Sequence, residues 1–290
     1  MSYTKEHVYP VSRKAAHLVG SEIIKLAGEI RAMQAAGAEI FNLTIGDFNP
    51  ELFPIPEELL QGIIEAYQAG QTNYPPSNGI AELRTSVSRF IESRMGLAYT
   101  PDDFLIAGGA RPLIFAAYQA LVDPDDKVIF PVPSWNNNHY THLAEGQKVM
   151  IPAGAETAFM PTAEAIAPHV EGATLIAVCS PLNPTGTVFP KEQLEAICDL
   201  VLAENKRRGP DAKPLYLLYD QIYWQLTYGD TVHYDPVNLR EGMKPYTIYI
   251  DGISKCFAAT GVRVGWAFGP QTVIGKMKSI LGHVGAWSPR

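Results

Sequence analysis

The chain carries only three cysteines, Cys179, Cys198 and Cys256, and no two of them lie close together. That spacing argues against both a disulfide framework and a structural zinc site. Cationic side chains are in deficit: 23 Lys and Arg stand against 30 Asp and Glu, for a net charge of −7. Nucleic acid and anionic membrane surfaces are therefore not expected as main partners. The only basic cluster, Lys206-Arg207-Arg208 ahead of Gly209, has the pattern of a helix C-terminus, where cations meet the dipole and glycine ends the turn. No apolar run approaches the length of a membrane span, and no charged-then-apolar segment begins the sequence. A reducing cytoplasm is the expected location. The seven histidines are scattered; His139 and His142 could share a helix face, but no carboxylate or cysteine completes a metal set beside them. No repeat, low-complexity stretch or flexible linker interrupts the chain.

What remains is an ordinary globular composition, 47% hydrophobic and 18% charged over 290 residues, enough for one large domain or two modest ones. Periodicity and punctuation predict helices over Ser21–Ala36 (Ser21 as cap, Gly37 as stop), Glu57–Ala69 and Ile80–Met95. Between them lie the proline-rich stretch Gly46–Pro56 and the irregular Asn73–Gly79. The pattern then alternates. Strands are predicted at Phe104–Ala107, Lys127–Phe130, Gln147–Ile151, Thr174–Cys179, Pro214–Tyr219, Tyr246–Ile250 and Val264–Phe268. Helices fall between them at Pro112–Leu121, Thr162–Val170 and Pro190–Asn205, and a further helical segment follows the seventh strand. Several strands are apolar throughout, as strands buried on both faces are. The expected fold is α/β, a seven-stranded, mostly parallel sheet between helices.

Ligands of such sheets bind beyond the carboxyl ends of the strands. Gly108-Gly109-Ala110 follows the first strand, Pro131–Trp135 the second, Asn183 the fourth, Asp220 and Tyr223 the fifth, and Lys255 the sixth. The polar and aromatic candidates thus converge on one rim. Lys255 is the most telling. A lysine at the end of a buried strand is costly in its charged form, and the neutral amine that burial favours can form a Schiff base. Each residue also has an ordinary alternative. Lys255 and Arg263 could be surface cations, Asp220 a helix cap, Asn183 a turn residue before Pro184, and Trp135 and Tyr223 core aromatics.

Taken in order, these segments resemble the fold-type-I, pyridoxal-phosphate-dependent aminotransferases of class I/II. The resemblance rests on Tyr74 with Gly79 and Leu83-Arg84, Gly108-Gly109-Ala110, Pro133-Ser134-Trp135, Asn183-Pro184-Thr185-Gly186, Tyr219–Tyr223, and Ser254-Lys255 with Arg263. It runs from about Ser21 onward. It implies the cofactor pyridoxal 5'-phosphate, a Schiff base at Lys255, and transfer of an amino group between an amino acid and a 2-oxo acid. Asp220 would pair with the protonated pyridine nitrogen, which keeps the ring an electron sink. Asn183 and Tyr223 would bond the ring oxygen, and Trp135 would stack on the ring. Gly109, Ala110 and Arg111, at a helix start with Pro112 in its first turn, would meet the phosphate together with Ser254 and Arg263. Tyr74 resembles the tyrosine that reaches the phosphate of a neighbouring subunit, which implies a homodimer with shared active sites. Gly46 resembles a loop that closes over the substrate. The implied domains are an N-terminal arm with part of a small domain over residues 1–50, and a large cofactor-binding domain over 51–290.

Three features depart from the family pattern. Gly252 stands where a serine or threonine usually contacts the phosphate. Asn138 stands where some relatives place a histidine behind the pyridine-binding aspartate, with His139 next to it. Family members also typically run about a hundred residues further, through the arginine that grips the substrate α-carboxylate, so the chain reads as truncated at its C-terminus. Rivals to amino transfer are β-elimination or decarboxylation on the same cofactor and a non-catalytic regulatory domain. The last is disfavoured by the lack of a basic N-terminal extension.

Overall fold

A computed structural model describes residues 10–20, 22–42, 44 and 46–290. Ser21, the expected helix cap, lies outside the described residues. The chain divides into two compact units, Met1–Phe48 and Asn49–Arg290. In the first, a short helix Arg13–Ala16 is capped by Ser12, whose Oγ accepts from Ala15 N at 3.2 Å, and a longer helix spans Glu22–Ala35.

The second unit holds all seven expected strands: β1 (Phe104–Ala107), β2 (Lys127–Val132), β3 (Gln147–Pro152), β4 (Ala173–Cys179), β5 (Tyr216–Asp220), β6 (Thr247–Gly252) and β7 (Gly265–Phe268). They form one sheet in the order β1-β7-β6-β5-β4-β2-β3. Pairings from β3 through β6 are parallel, and β7 alone runs against both its neighbours. That reversal matters for the site. It brings the N-terminal end of β7, Gly265, beside the C-terminal ends of β1 and β6, in register with Ala107 and Gly252.

Both faces of the sheet are covered, which explains the unbroken apolar strands. On one face Ile106, Ile129, Ile176, Leu217 and Tyr249 pack with Ile91 of the helix Ala81–Met95 and with Leu194, Ile197 and Val201 of the helix Lys191–Arg208. On the other, Leu105, Val128, Leu175, Leu218 and Ile248 meet Leu113 and Ala117 of the helix Ala110–Leu121 and Met277 and Leu281 of the helix Gln271–Val284. Each fully buried Ile or Leu there contributes about 1.5–3 kcal/mol.

Helix boundaries differ from expectation where backbone chemistry intervenes. The helix expected from Pro112 starts at Ala110, immediately after Gly109 (φ 99°), a conformation that glycine adopts at no steric cost. The helix expected over Thr162–Val170 divides into Ala163–Ile166 and a 3₁₀ turn Ala167–His169, because Pro168 has no N–H to continue the ladder. The basic cluster ends its helix as expected, with Gly209 next (φ 78°).

Candidate active site

The strand ends carry the expected residues to one edge of the sheet. Asp220 closes β5, in register with Cys179 of β4 and Ile250 of β6. Its Oδ1 accepts from Ile222 N at 3.1 Å, so it folds its own turn and caps no helix. Burial pushes its carboxyl up to about 6. Among the described residues no cation pairs with it. A half-buried acid in that state favours a ligand that brings its own positive charge.

Tyr223 follows three residues later. Asn183 Nδ2 donates to its Oη at 3.3 Å, joining the loop after β4 to the loop after β5. Burial raises the Tyr223 phenol, so it stays protonated and its own hydrogen can be given to an acceptor. Lys255 sits in the short helix Ile253–Cys256 after β6, with Nζ 5.9 Å from the centre of the Tyr223 ring. Ser254 is buried beside it.

The β1 end forms a cradle. Arg263, itself at φ 63°, donates from Nη1 to Thr260 O at 2.8 Å and from Nη2 to Gly108 O at 2.9 Å. These bonds stretch its guanidinium across Gly109. A Cβ on Gly109 would collide with that guanidinium, so Arg263 can lie over the start of the next helix, whose first backbone N–H groups favour an anion, only because the residue is glycine. Gly265 closes the cradle from below: a Cβ there would lie 2.7 Å from Ala110 N.

The same packing accounts for Gly252. Its Cα faces Gly265 so closely that a Cβ would stand 2.8 Å from Gly265 Cα and from Val264 O. A serine or threonine does not fit there without parting β6 from β7. That position therefore offers no side chain for the contact expected of it.

Other placements add to the expectations. Arg111 lays its guanidinium 4.5 Å from the centre of the Trp135 ring, a cation–π contact. Tyr74 is 84% exposed and meets Trp287 edge-on at 5.3 Å. Both line an open cavity of about 1020 Å³ together with Arg263, Gly108, Pro112 and Arg290. His139 lies in the helix Asn137–Leu143, and it does not supply the hydrogen bond that Asp220 accepts. Gly46 belongs to the other unit.

Asp251 went unnoticed in the sequence. It is fully buried at the end of β6, and three donors converge on it: Gly252 N at 2.7 Å, Trp224 Nε1 at 2.9 Å and Gln221 Nε2 at 3.4 Å. Burial pushes its carboxyl up to about 7. The available signal was an acid closing an otherwise apolar strand, four residues before the key lysine.

The residues present fit pyridoxal phosphate. The cradle offers N–H groups and a guanidinium to a phosphate, the lone half-buried Asp220 suits a protonated ring nitrogen, and Lys255 stands near the Tyr223–Asn183 pair.

The family model for aminotransferase class I and II matches residues 38–287. An aspartate aminotransferase of Pinus pinaster is 34% identical over 275 residues, covering 93% of this chain and 54% of its own. One of Geobacillus stearothermophilus is 30% identical, with 94% of this chain and 67% of its own covered. The solved aspartate aminotransferase of Thermus thermophilus with maleate superposes with a TM-score of 0.88 at 29% identity, over 97% of this chain and 70% of that one. The chain thus spans from about half to about seven tenths of these relatives' lengths.

Proposed function

Because this chain belongs to the class I and II aminotransferases, we propose that it moves an amino group between an amino acid and a 2-oxo acid with pyridoxal phosphate bound at the rim of its sheet. One observation carries the reading. Separate segments deliver Lys255, the Asn183–Tyr223 pair, the unpaired Asp220 and the Arg263–Gly109 cradle to a single strand edge.

Pyridoxal phosphate, when bound, supplies an aldehyde that condenses with amines and a protonated ring that takes up the electron pair left by a departing α-proton. The chain's own residues do the rest. Arg263 and the N–H groups after Gly109 would hold the phosphate. Asp220 would keep a proton at the ring nitrogen, and Tyr223, oriented by Asn183, would give its hydroxyl hydrogen to the ring oxygen. Trp135 would stack on the ring. Lys255 Nζ would be the amine that holds the cofactor and, in its neutral form, the base that moves the α-proton.

The relatives named as aspartate aminotransferases put aspartate and glutamate first among donors to test. A homodimer is the proposed assembly. The helix Glu57–Gln68 has no buried residue and exposes Leu60, Ile64 and Tyr67, close in sequence to the exposed Tyr74. An apolar stripe of that kind suits a subunit contact.

Borohydride reduction in the presence of pyridoxal phosphate, followed by peptide mapping, tests the reading. Label on Lys255, absent from Lys255→Ala, and conversion of the cofactor to its amine form by an amino donor are expected. Label without that conversion, with ammonia released and no acceptor needed, would indicate elimination instead. No label would overturn the assignment.

A further inference from the structure

We infer that Asp251 is a positioning residue: it fastens the turn that carries Asp220 and Tyr223 to the turn that carries Lys255. The inference rests on the proposed role of Lys255 as the residue that holds the cofactor.

The geometry is specific. Asp251 Oδ1 takes the N–H of Gly252, at the start of the Lys255 turn. Asp251 Oδ2 takes Trp224 Nε1 and Gln221 Nε2, the residues on either side of Ile222-Tyr223. Gln221 is also tied by its backbone N–H to Ile250 O at 2.9 Å, and Ile222 Cδ1 would lie 3.4 Å from a Cβ on Gly252. One carboxylate therefore joins two loops at the point where they face each other. Lys255 and Tyr223 are the residues that the junction sets at 5.9 Å.

A packing role alone does not call for an acid here. Asp251 has 0% exposure and no cation pairs with it among the described residues, so its burial is costly. An amide would turn its NH₂ toward one of the donors, whereas each carboxyl oxygen has a lone pair to offer, one to each loop. The acid is the group that satisfies both loops at once.

The experiment uses the intact protein with pyridoxal phosphate and reads two quantities. One is the pH midpoint of the bound cofactor's visible absorbance; the other is the melting temperature of the cofactor-free protein. Trp224→Phe keeps an aromatic side chain and removes the N–H, and is the gentler variant; Asp251→Asn is the second. A hydroxyl donating to the ring oxygen favours loss of the proton that titrates the band, so a displaced Tyr223 raises the midpoint. Both variants are expected to shift that equilibrium upward by roughly tenfold, in the direction of Tyr223→Phe. The double variant Trp224→Phe/Tyr223→Phe is expected to move no further than Tyr223→Phe alone. A lower melting temperature with the midpoint unchanged in both single variants would reduce Asp251 to a structural residue and overturn the inference. A wild-type protein with no such band would remove the Lys255 assignment itself, and this inference with it.

Discussion

Arg263 lies across Gly109, with Nη2 on Gly108 O at 2.9 Å and Nη1 on Thr260 O at 2.8 Å, so closely that no side chain fits between them. The contact couples a loop after β1 to the turn before β7. Gly109→Ala is expected to displace the guanidinium and to strain a backbone at φ 99°. The strain alone should cost about 1 kcal/mol or more. Cofactor affinity should fall further, by roughly tenfold or more, because the guanidinium and the N–H groups are disturbed together. Titration with pyridoxal phosphate, monitored by absorbance, checks this, and unchanged affinity would exclude the cradle as the phosphate site.

The Asn183–Tyr223 bond at 3.3 Å predicts a graded pair of effects. Tyr223→Phe removes the hydroxyl proposed to donate to the cofactor, and should weaken cofactor binding by roughly 5–30-fold. Asn183→Ala leaves the hydroxyl but frees its orientation, so a smaller loss is expected. Dissociation constants for both variants, measured in one buffer, test the order. An equal or larger loss in Asn183→Ala would mean that Asn183 contacts the ligand directly.

The strands were legible because they are buried on both faces, and an all-apolar run such as Ala173–Cys179 has no other comfortable place in an α/β fold. Lys255, Asp220 and Asn183 were legible for a related reason, as polar residues placed where such strands end. Contacts that depend on close approach between distant segments were not. Gly252 read as a lost phosphate ligand, whereas its packing on Gly265 is a requirement of the β6–β7 pair. Arg111 reads as a phosphate contact, whereas its position over Trp135 depends on a loop 24 residues away in sequence. Asp251 does not stand out, since nothing local announces that Trp224 will reach it.

Glu204 predicts a stability effect remote from the site. It is 5% exposed and accepts from Arg207 Nε at 2.7 Å and from Arg208 Nε at 2.8 Å. Arg208 also donates to Val170 O at 2.8 Å and Ala173 O at 2.7 Å, which latches the end of its helix to the start of β4. Glu204→Gln leaves Arg208 short of its anion and should cost about 2–4 kcal/mol, less than a fully buried pair because Arg207 is exposed. Arginine hydrogen bonds hold the Glu204 carboxyl down to about 2, below its ordinary 4.5. Its contribution is therefore present above pH 4.5 and is lost as pH falls toward 2. Urea unfolding of the variant at neutral pH should show the loss with no change in cofactor affinity.

The same linkage acts with opposite sign at Asp251 and Asp220. Burial raises both, from an ordinary 3.8 to about 7 and about 6, so the folded protein binds their protons more tightly than the unfolded chain. Their contribution is fully present below pH 3.8 and drains away as pH rises through 6 and 7. His233 works against them. Among the described residues its two buried ring nitrogens have no hydrogen-bond partner, and burial lowers it from 6.5 to about 4. The unfolded chain therefore takes up that proton first, and stability from His233 is lost as pH falls from 6.5 to 4. Comparison of variants separates the terms. Asp251→Asn has no carboxyl to protonate, so the drop in melting temperature of the cofactor-free protein between pH 5 and pH 7.5 should be smaller than in wild type. Asp220→Asn should flatten the same profile by a smaller amount, because its shift is smaller. His233→Phe should steepen it, by removing the group that opposes the acids. A steeper profile in Asp251→Asn would show that this carboxyl is ionised in the folded protein well below pH 7, with Trp224 and Gln221 stabilising its charge more than burial penalises it.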